Sequence, residues 1–182
     1  MAPIMSTRTA GSPAAAGRSR GGIALPGTVL GLGMGGFVDG IMLHQVLQWH
    51  HMLSSTGSDR LGLKRYSTKT VSGLEMNTVW DGFFHVFTWL CVLAGLAMLY
   101  ARLNEVHGPV WRSRGLWGWL AVGWGVFNLV EGIIDHEILG IHHVRSGPNH
   151  IWWDLGFLAV GALLVAGGWL LQRGGEIPRR EA

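Results

Sequence analysis

The sequence has one cysteine, Cys91, in 182 residues. That excludes an intramolecular disulfide and a thiolate metal cage. Charge is scarce too. Asp, Glu, Lys and Arg make up 14% of the chain, against about 25% in a soluble domain. No cleavable leader is expected, because the apolar run from Leu25 is long and lacks a small-residue cleavage site. The glycines of that run, Gly31, Gly35, Gly36 and Gly40, are not followed by the Lys-Ser/Thr of a phosphate-binding loop.

What remains is apolar. Hydrophobic residues are 48% of the chain, with 29 glycines and ten tryptophans. Both types are at home in membrane helices and their interfaces. Four stretches can span a bilayer of about 20 residues' thickness: Leu25 to about Trp49, Asn77 to Tyr100, Leu116 to about Leu139, and Ile151 to Leu171. The expected fold is therefore an all-α integral membrane protein with four transmembrane helices. Residues 1–22 are Ala, Gly, Ser, Pro and Arg and are read as a disordered tail. Residues 23–172 form the membrane domain, and 173–182 form a second polar tail.

The first and third spans end alike. Val38–Ser54 reads VDGIMLHQVLQWHHMLS and Val130–Ser146 reads VEGIIDHEILGIHHVRS. An offset of 92 lays Asp39 on Glu131, Gly40 on Gly132, His44 on His136, His50 on His142 and His51 on His143. Trp80-Asp81 matches Trp153-Asp154 at an offset of 73. This is the mark of an internal repeat. The unit is a helical hairpin, about 25–101 and about 116–171, with a pseudo-two-fold axis expected along the membrane normal.

Lys and Arg set the orientation. Nine lie on one side (Arg8, Arg18, Arg20, Arg102, Arg112, Arg114, Arg173, Arg179, Arg180). Five lie on the other (Arg60, Lys64, Arg65, Lys69, Arg145). The positive-inside rule puts both termini in the cytoplasm. The excess of basic residues thus reflects topology, not nucleic-acid binding. Trp49, Trp80, Trp152 and Trp153 read as one aromatic belt, and Trp111, Trp117, Trp119 and Trp169 as the other.

Counted at about 1.5 Å per residue, the polar residues of all four helices are expected to gather in the outer half of the membrane, with none in the inner half. Such groups are costly in lipid and normally face a partner. A metal ion is a partner that suits imidazole and carboxylate together. His44, His85 and His136 are the expected ligands, joined by Asp135 or Asp81. Asp39 and His44 differ by about 140° on a straight α-helix, so they are not expected to share an ion. Asp39 and Glu131 are expected to orient imidazoles from below. His50, His51, His142, His143, Asp154 and Glu137 are expected beside the ligands or at the mouth, and Asp81 and Asp154 also stand where they can complement helix N-termini.

The strings GFVDGIMLHQVLQWHHMLS (36–54), DGFFH (81–85), EGIIDHEILGIHHVR (131–145) and WDLGF (153–157) resemble a bacterial family of predicted four-helix membrane proteins of unknown function, domain-of-unknown-function family 2243. The resemblance covers roughly residues 25–171 and implies a multi-pass protein of the bacterial inner membrane. It marks Asp39, His44, Gln45, His50, His51, Asp81, His85, Glu131, Asp135, His136, His142, His143 and Asp154. Relatives often carry a second histidine after the position of His136, where this chain has Glu137. The resemblance implies no activity.

Several functions fit this pattern. One is a membrane metal-binding protein, holding iron, zinc or copper, that handles metal or assists metalloenzyme assembly. A non-haem iron oxidoreductase or a zinc hydrolase would use the same donors as an enzyme. A b-type haem protein would use facing imidazoles as axial ligands. A metal-free proton path, or a structural subunit among other membrane subunits, completes the set.

Overall fold

A computed structural model describes residues 22–54, 61–105 and 113–173. The expected tails lie outside these residues, apart from Gly22 and Arg173. So does the part of the middle basic loop that holds His107 and Arg112. The described chain is helical, and four helices are long and apolar enough to span a membrane: Ala24–Val46, Val71–Asn104, Ser113–Ile138 and His150–Arg173.

Helix α1 is Ala24–Val38 and helix α2 is Val71–Glu105. Helix α3 is Ser113–Glu131 and helix α4 is His150–Arg173. Helix α2 is longer than the sequence suggested. Its 35 residues run about 50 Å, beyond the roughly 30 Å of a hydrocarbon core, so it tilts or projects.

Helices α1 and α3 pack together at the centre. Helix α2 packs on α1 and α4 packs on α3, and the two flanking helices do not meet. The seam between α1 and α3 is built from small residues. A Cβ on Gly31 would run into the Leu120 carbonyl, and one on Gly27 would sit 2.7 Å from Trp119 Cβ. Glycine therefore lets the two backbones touch, which is how helices associate where lipid removes any hydrophobic drive. Few large apolar residues are buried; Leu30, Leu120 and Phe127 lie within the helices. The large apolar side chains of α2 and α4 instead point outward, among them Phe83, Phe87, Leu90, Trp152 and Leu163. This is the exterior a bilayer covers.

The inner helices do not stay α-helical. Each passes into a π-helix, Asp39–Val46 after α1 and Gly132–Ile138 after α3. Hydrogen bonds from Leu47 N to Met42 O and from Leu139 N to Ile134 O, both 2.8 Å, show the wider turn. Both chains then reverse through a residue with positive φ: Gln48 at 49° and Gly140 at 58°. Glycine takes this conformation freely, whereas glutamine adopts it with strain. The segments that follow, up to Ser54 and up to Asn149, fold back over the helix ends and carry four more histidines there.

Candidate metal centre

The π-helices decide which side chains meet. In a π-helix, i→i+5 hydrogen bonding stacks residues five apart. Asp39 and His44 therefore share a face, with His44 Nε2 3.1 Å from Asp39 Oδ2. The expectation that these two stand about 140° apart is overturned, because it assumed a straight α-helix. Glu131 and His136, also five apart, are likewise brought within ligand range.

The proton positions follow from the partners. His44 Nδ1 lies 3.0 Å from the Asp81 carboxylate, and His50 Nδ1 lies 2.9 Å from the Val144 carbonyl. Both partners can only accept, so each Nδ1 carries the hydrogen. Burial pushes the imidazoles of His50 and His142 well below their ordinary range, so both stay neutral. The His50 Nε2 is then a lone pair, 3.9 Å from Asp39 Oδ2.

Asp39, His44, His50 and Glu131 each offer an atom, and these lie within 4.8 Å of one another with all four residues buried. Both oxygens of Asp39 and of Glu131, and the Nε2 of His44 and His50, have no hydrogen-bond partner. A buried unsatisfied polar atom costs about 1–3 kcal/mol, more when charged. A proton or a cation shared among these atoms would offset that cost.

A second set adjoins the first. Glu131, His136 and His142 also come within 4.8 Å and are buried, with His142 Nε2 3.7 Å from Glu131 Oε1. Glu131 belongs to both sets. Where the sets touch, the His50 and His142 rings stack, centroids 4.5 Å apart.

Two aspartates hold this arrangement from the flanking helices. Asp81 accepts from His44, from His51 Nδ1 at 2.6 Å and from Met52 N at 2.9 Å. Asp154 accepts from Val144 N at 2.9 Å and lies 3.4 Å from His136 Nδ1 and 2.7 Å from His143 Nδ1. The two aspartates thus make matching contacts at matching positions.

The residues expected as ligands do not all come together. Among the described residues, Asp81, His85 and Asp135 fall outside the groups of converging donor atoms. Asp81 is saturated by donors and orients His44 through its Nδ1. His85 turns its Nδ1 to the Asp81 carbonyl, 2.6 Å away, and its ring lies over Gly40. Asp135 stands 92 positions after Leu43, and Glu137 is exposed. Asp39 and Glu131, expected to act from below, stand among the converging atoms. His50 and His142, expected at the mouth, are buried with them. The expectation of no polar residues deeper in the helices than Asp39 and Glu131 fails: Asn128, one helical turn before Glu131, and Thr88 are buried polar residues.

Two residues escaped the sequence reading. His150, four before Asp154, joins His143 and Asp154 in a third convergent group. Asn77, four before Asp81, is fully buried and accepts from Leu53 N while donating to Tyr66 O and Gly73 O. The helical i,i+4 spacing to an aspartate common to both was the available signal.

In comparison with known proteins, the family described as "Predicted membrane protein (DUF2243)" matches residues 26–175. No curated protein and no solved structure matches the chain.

Proposed function

The chain belongs to this family of predicted membrane proteins, and on that footing we propose that it is an integral membrane metal-binding protein. Its buried centre combines Asp39, His44, His50, Glu131, His136 and His142. One observation carries the reading: ring nitrogens and carboxylate oxygens converge in the buried interior, while the Nδ1–H groups of His44 and His50 are committed elsewhere. A divalent ion removes the cost of burying these acceptors together. Because Glu131 belongs to both sets, it can bridge two ions. The donors are nitrogen and oxygen without sulfur, which suits iron, zinc or Cu(II) and disfavours Cu(I).

The proposed architecture is a duplicated hairpin in the bacterial inner membrane, with both termini cytoplasmic and the centre in the outer half. Contacts that recur at the offsets of 92 and 73 support the duplication: His51 with Asp81 and His143 with Asp154, and Met52 N with Asp81 and Val144 N with Asp154.

Metal handling is favoured over catalysis because the imidazoles form a gradient of exposure. Side-chain exposure rises from 0% at His44 to 12% at His51, 18% at His143 and 41% at His150. That suits ion passage between surface and centre. A non-haem iron oxidoreductase remains the second reading, supported by two adjacent His/carboxylate sets with a shared glutamate. A haem is disfavoured, since the His44 and His50 Nε2 atoms face carboxylates instead of an apolar slot.

The test is elemental analysis with an absorption spectrum on detergent-purified protein free of any metal-binding tag. Stoichiometric iron, zinc or copper is expected, lost when His44 or His136 becomes Ala. Protein that stays metal-free after reconstitution would refute the metal reading and leave a polar relay or a structural subunit.

A further inference from the structure

Away from the buried centre, three potential donor atoms converge at the mouth of one half only, among the described residues. His143 Nδ1 lies 2.7 Å and His150 Nδ1 3.5 Å from Asp154 Oδ2. Asp154 is fully buried, and neither its Oδ2 nor the two nitrogens has a hydrogen-bond partner. The two rings stack with centroids 4.0 Å apart, so their Nδ1 atoms face the carboxylate from the same side.

The other half shows what the same scaffold does without a third donor. There His51 Nδ1 makes a true hydrogen bond to Asp81 Oδ2 at 2.6 Å. The position of His150 is held by Asn77, which spends its amide on the backbone of Leu53, Tyr66 and Gly73. His143 is as close to its aspartate as His51 is, yet its N–H axis misses the oxygen. Atoms at hydrogen-bond distance but off that axis are arranged around a common point.

We propose that His143, His150 and Asp154 form a second divalent-cation site, distinct from the buried centre and present in one half of the molecule alone. Two imidazoles and one carboxylate with an open position match zinc and neighbouring divalent metals. Beside His150 the surface forms a cavity of about 220 Å³ whose walls include Arg145, Asn149 and Trp153. Arg145 is held over the rings of Trp49 and Trp153, 5.3 and 5.4 Å from their centroids. An open position on the ion can thus be filled by water or by a small anion drawn to that guanidinium.

The site is weaker than the buried one. The N-terminus of α4 and the Arg145 charge both oppose a cation here, and His150 is 41% exposed to solvent. Weak binding suits exchange. Asp154 also reaches inward, its Oδ1 3.4 Å from His136 Nδ1. Passage of the ion from mouth to centre is the one part that rests on the metal-binding function proposed above. The site itself rests on its own geometry.

The experiment is calorimetric titration of chelator-stripped full-length protein in detergent with Zn²⁺, alongside Co²⁺ absorption. Wild type is compared with His150→Asn, His143→Ala and His44→Ala. His150→Asn copies the residue the other half carries, so it preserves the fold. We expect it to bind one equivalent fewer than wild type while retaining any tight class. His143→Ala should weaken the same equivalent at least tenfold. If both variants match wild type in number and affinity, the mouth trio is a structural contact and the proposal fails. If His44→Ala changes nothing but His150→Asn still removes an equivalent, the mouth site stands and the buried centre falls.

Discussion

His50 and His142 lie face to face, their ring planes 7° from parallel and their centroids 4.5 Å apart. Each is carried by a segment that follows one π-helix, and each faces a different buried carboxylate: His50 faces Asp39 and His142 faces Glu131. The stack is therefore where the two halves of the site join. Replacing either ring removes a donor from one set and leaves a void beside the other.

His50→Ala and His142→Ala should each lower bound metal by at least half, and Glu131→Gln by more, since Glu131 serves both sets. Metal-to-protein ratios on purified variants check this. A Glu131→Gln protein with wild-type content would remove the shared carboxylate from the site.

Asp81→Asn separates orienting from ligating. Asp81 touches His44 and His51 but lies outside the convergent groups. Loss of such an orienting partner weakens metal binding by about 10–100-fold. The full metal complement should return at saturating metal, unlike with Asp39→Asn. A competition titration against a chelator of known affinity distinguishes the two.

His85→Leu should leave metal content unchanged. The equivalent position in the second half is Leu158, which packs on Gly132 as His85 packs on Gly40. A marked loss of metal in this variant would restore His85 to the ligand set.

Gly31→Ala tests the seam. Its Cβ would meet the Leu120 carbonyl, and backbone cannot step aside as a side chain tip can. Overpacking of this kind costs about 1–3 kcal/mol. The apparent Tm in detergent should fall. Metal content should fall with it, since α1 and α3 carry the two halves of the site. Gln48→Gly should act the other way and raise stability by about 1 kcal/mol, because Gln48 holds a left-handed conformation at the turn where the second half has Gly140.

The buried imidazoles of His50 and His142 should each withdraw stability from the metal-free protein as pH falls. His50 packs among Asp39, His44, His136 and His142, and His142 among Glu131, His44 and His136. Burial holds both imidazoles below their ordinary pKa, which is about 6.5 in the unfolded chain. The unfolded state therefore takes up protons first, and stability present above about pH 6.5 is lost below it. Each group contributes up to about 1.4 kcal/mol per pH unit. Thermal unfolding between pH 7.5 and 5.5 reads the effect, and His50→Gln should flatten it. A pH dependence that His50→Gln leaves unchanged would contradict the neutral assignment of that ring.

Much of this was legible in the chain. Four apolar stretches announced four helices long enough to span a membrane, and ionisable residues in them announced that such groups would come together, because lipid tolerates them only with partners. The match of His44 with His136, and of His50-His51 with His142-His143, marked the segments that form it. The division of labour within the site was not legible. An α-helical wheel separates Asp39 from His44, and nothing in DGIMLHQV announces a π-helix. His150 was missed because the repeat offers no histidine at Asn77 to match it.

The sequence alone determined the class of fold and the inventory of donors, since hydropathy and composition act through the solvent and need no neighbours. Only the tertiary structure decided which donors converge. The turn of the π-helices, the glycine seam between α1 and α3, and the segments folding back over them set distances of a few ångströms. Such distances depend on packing between parts of the chain about 90 residues apart, which local pattern does not encode.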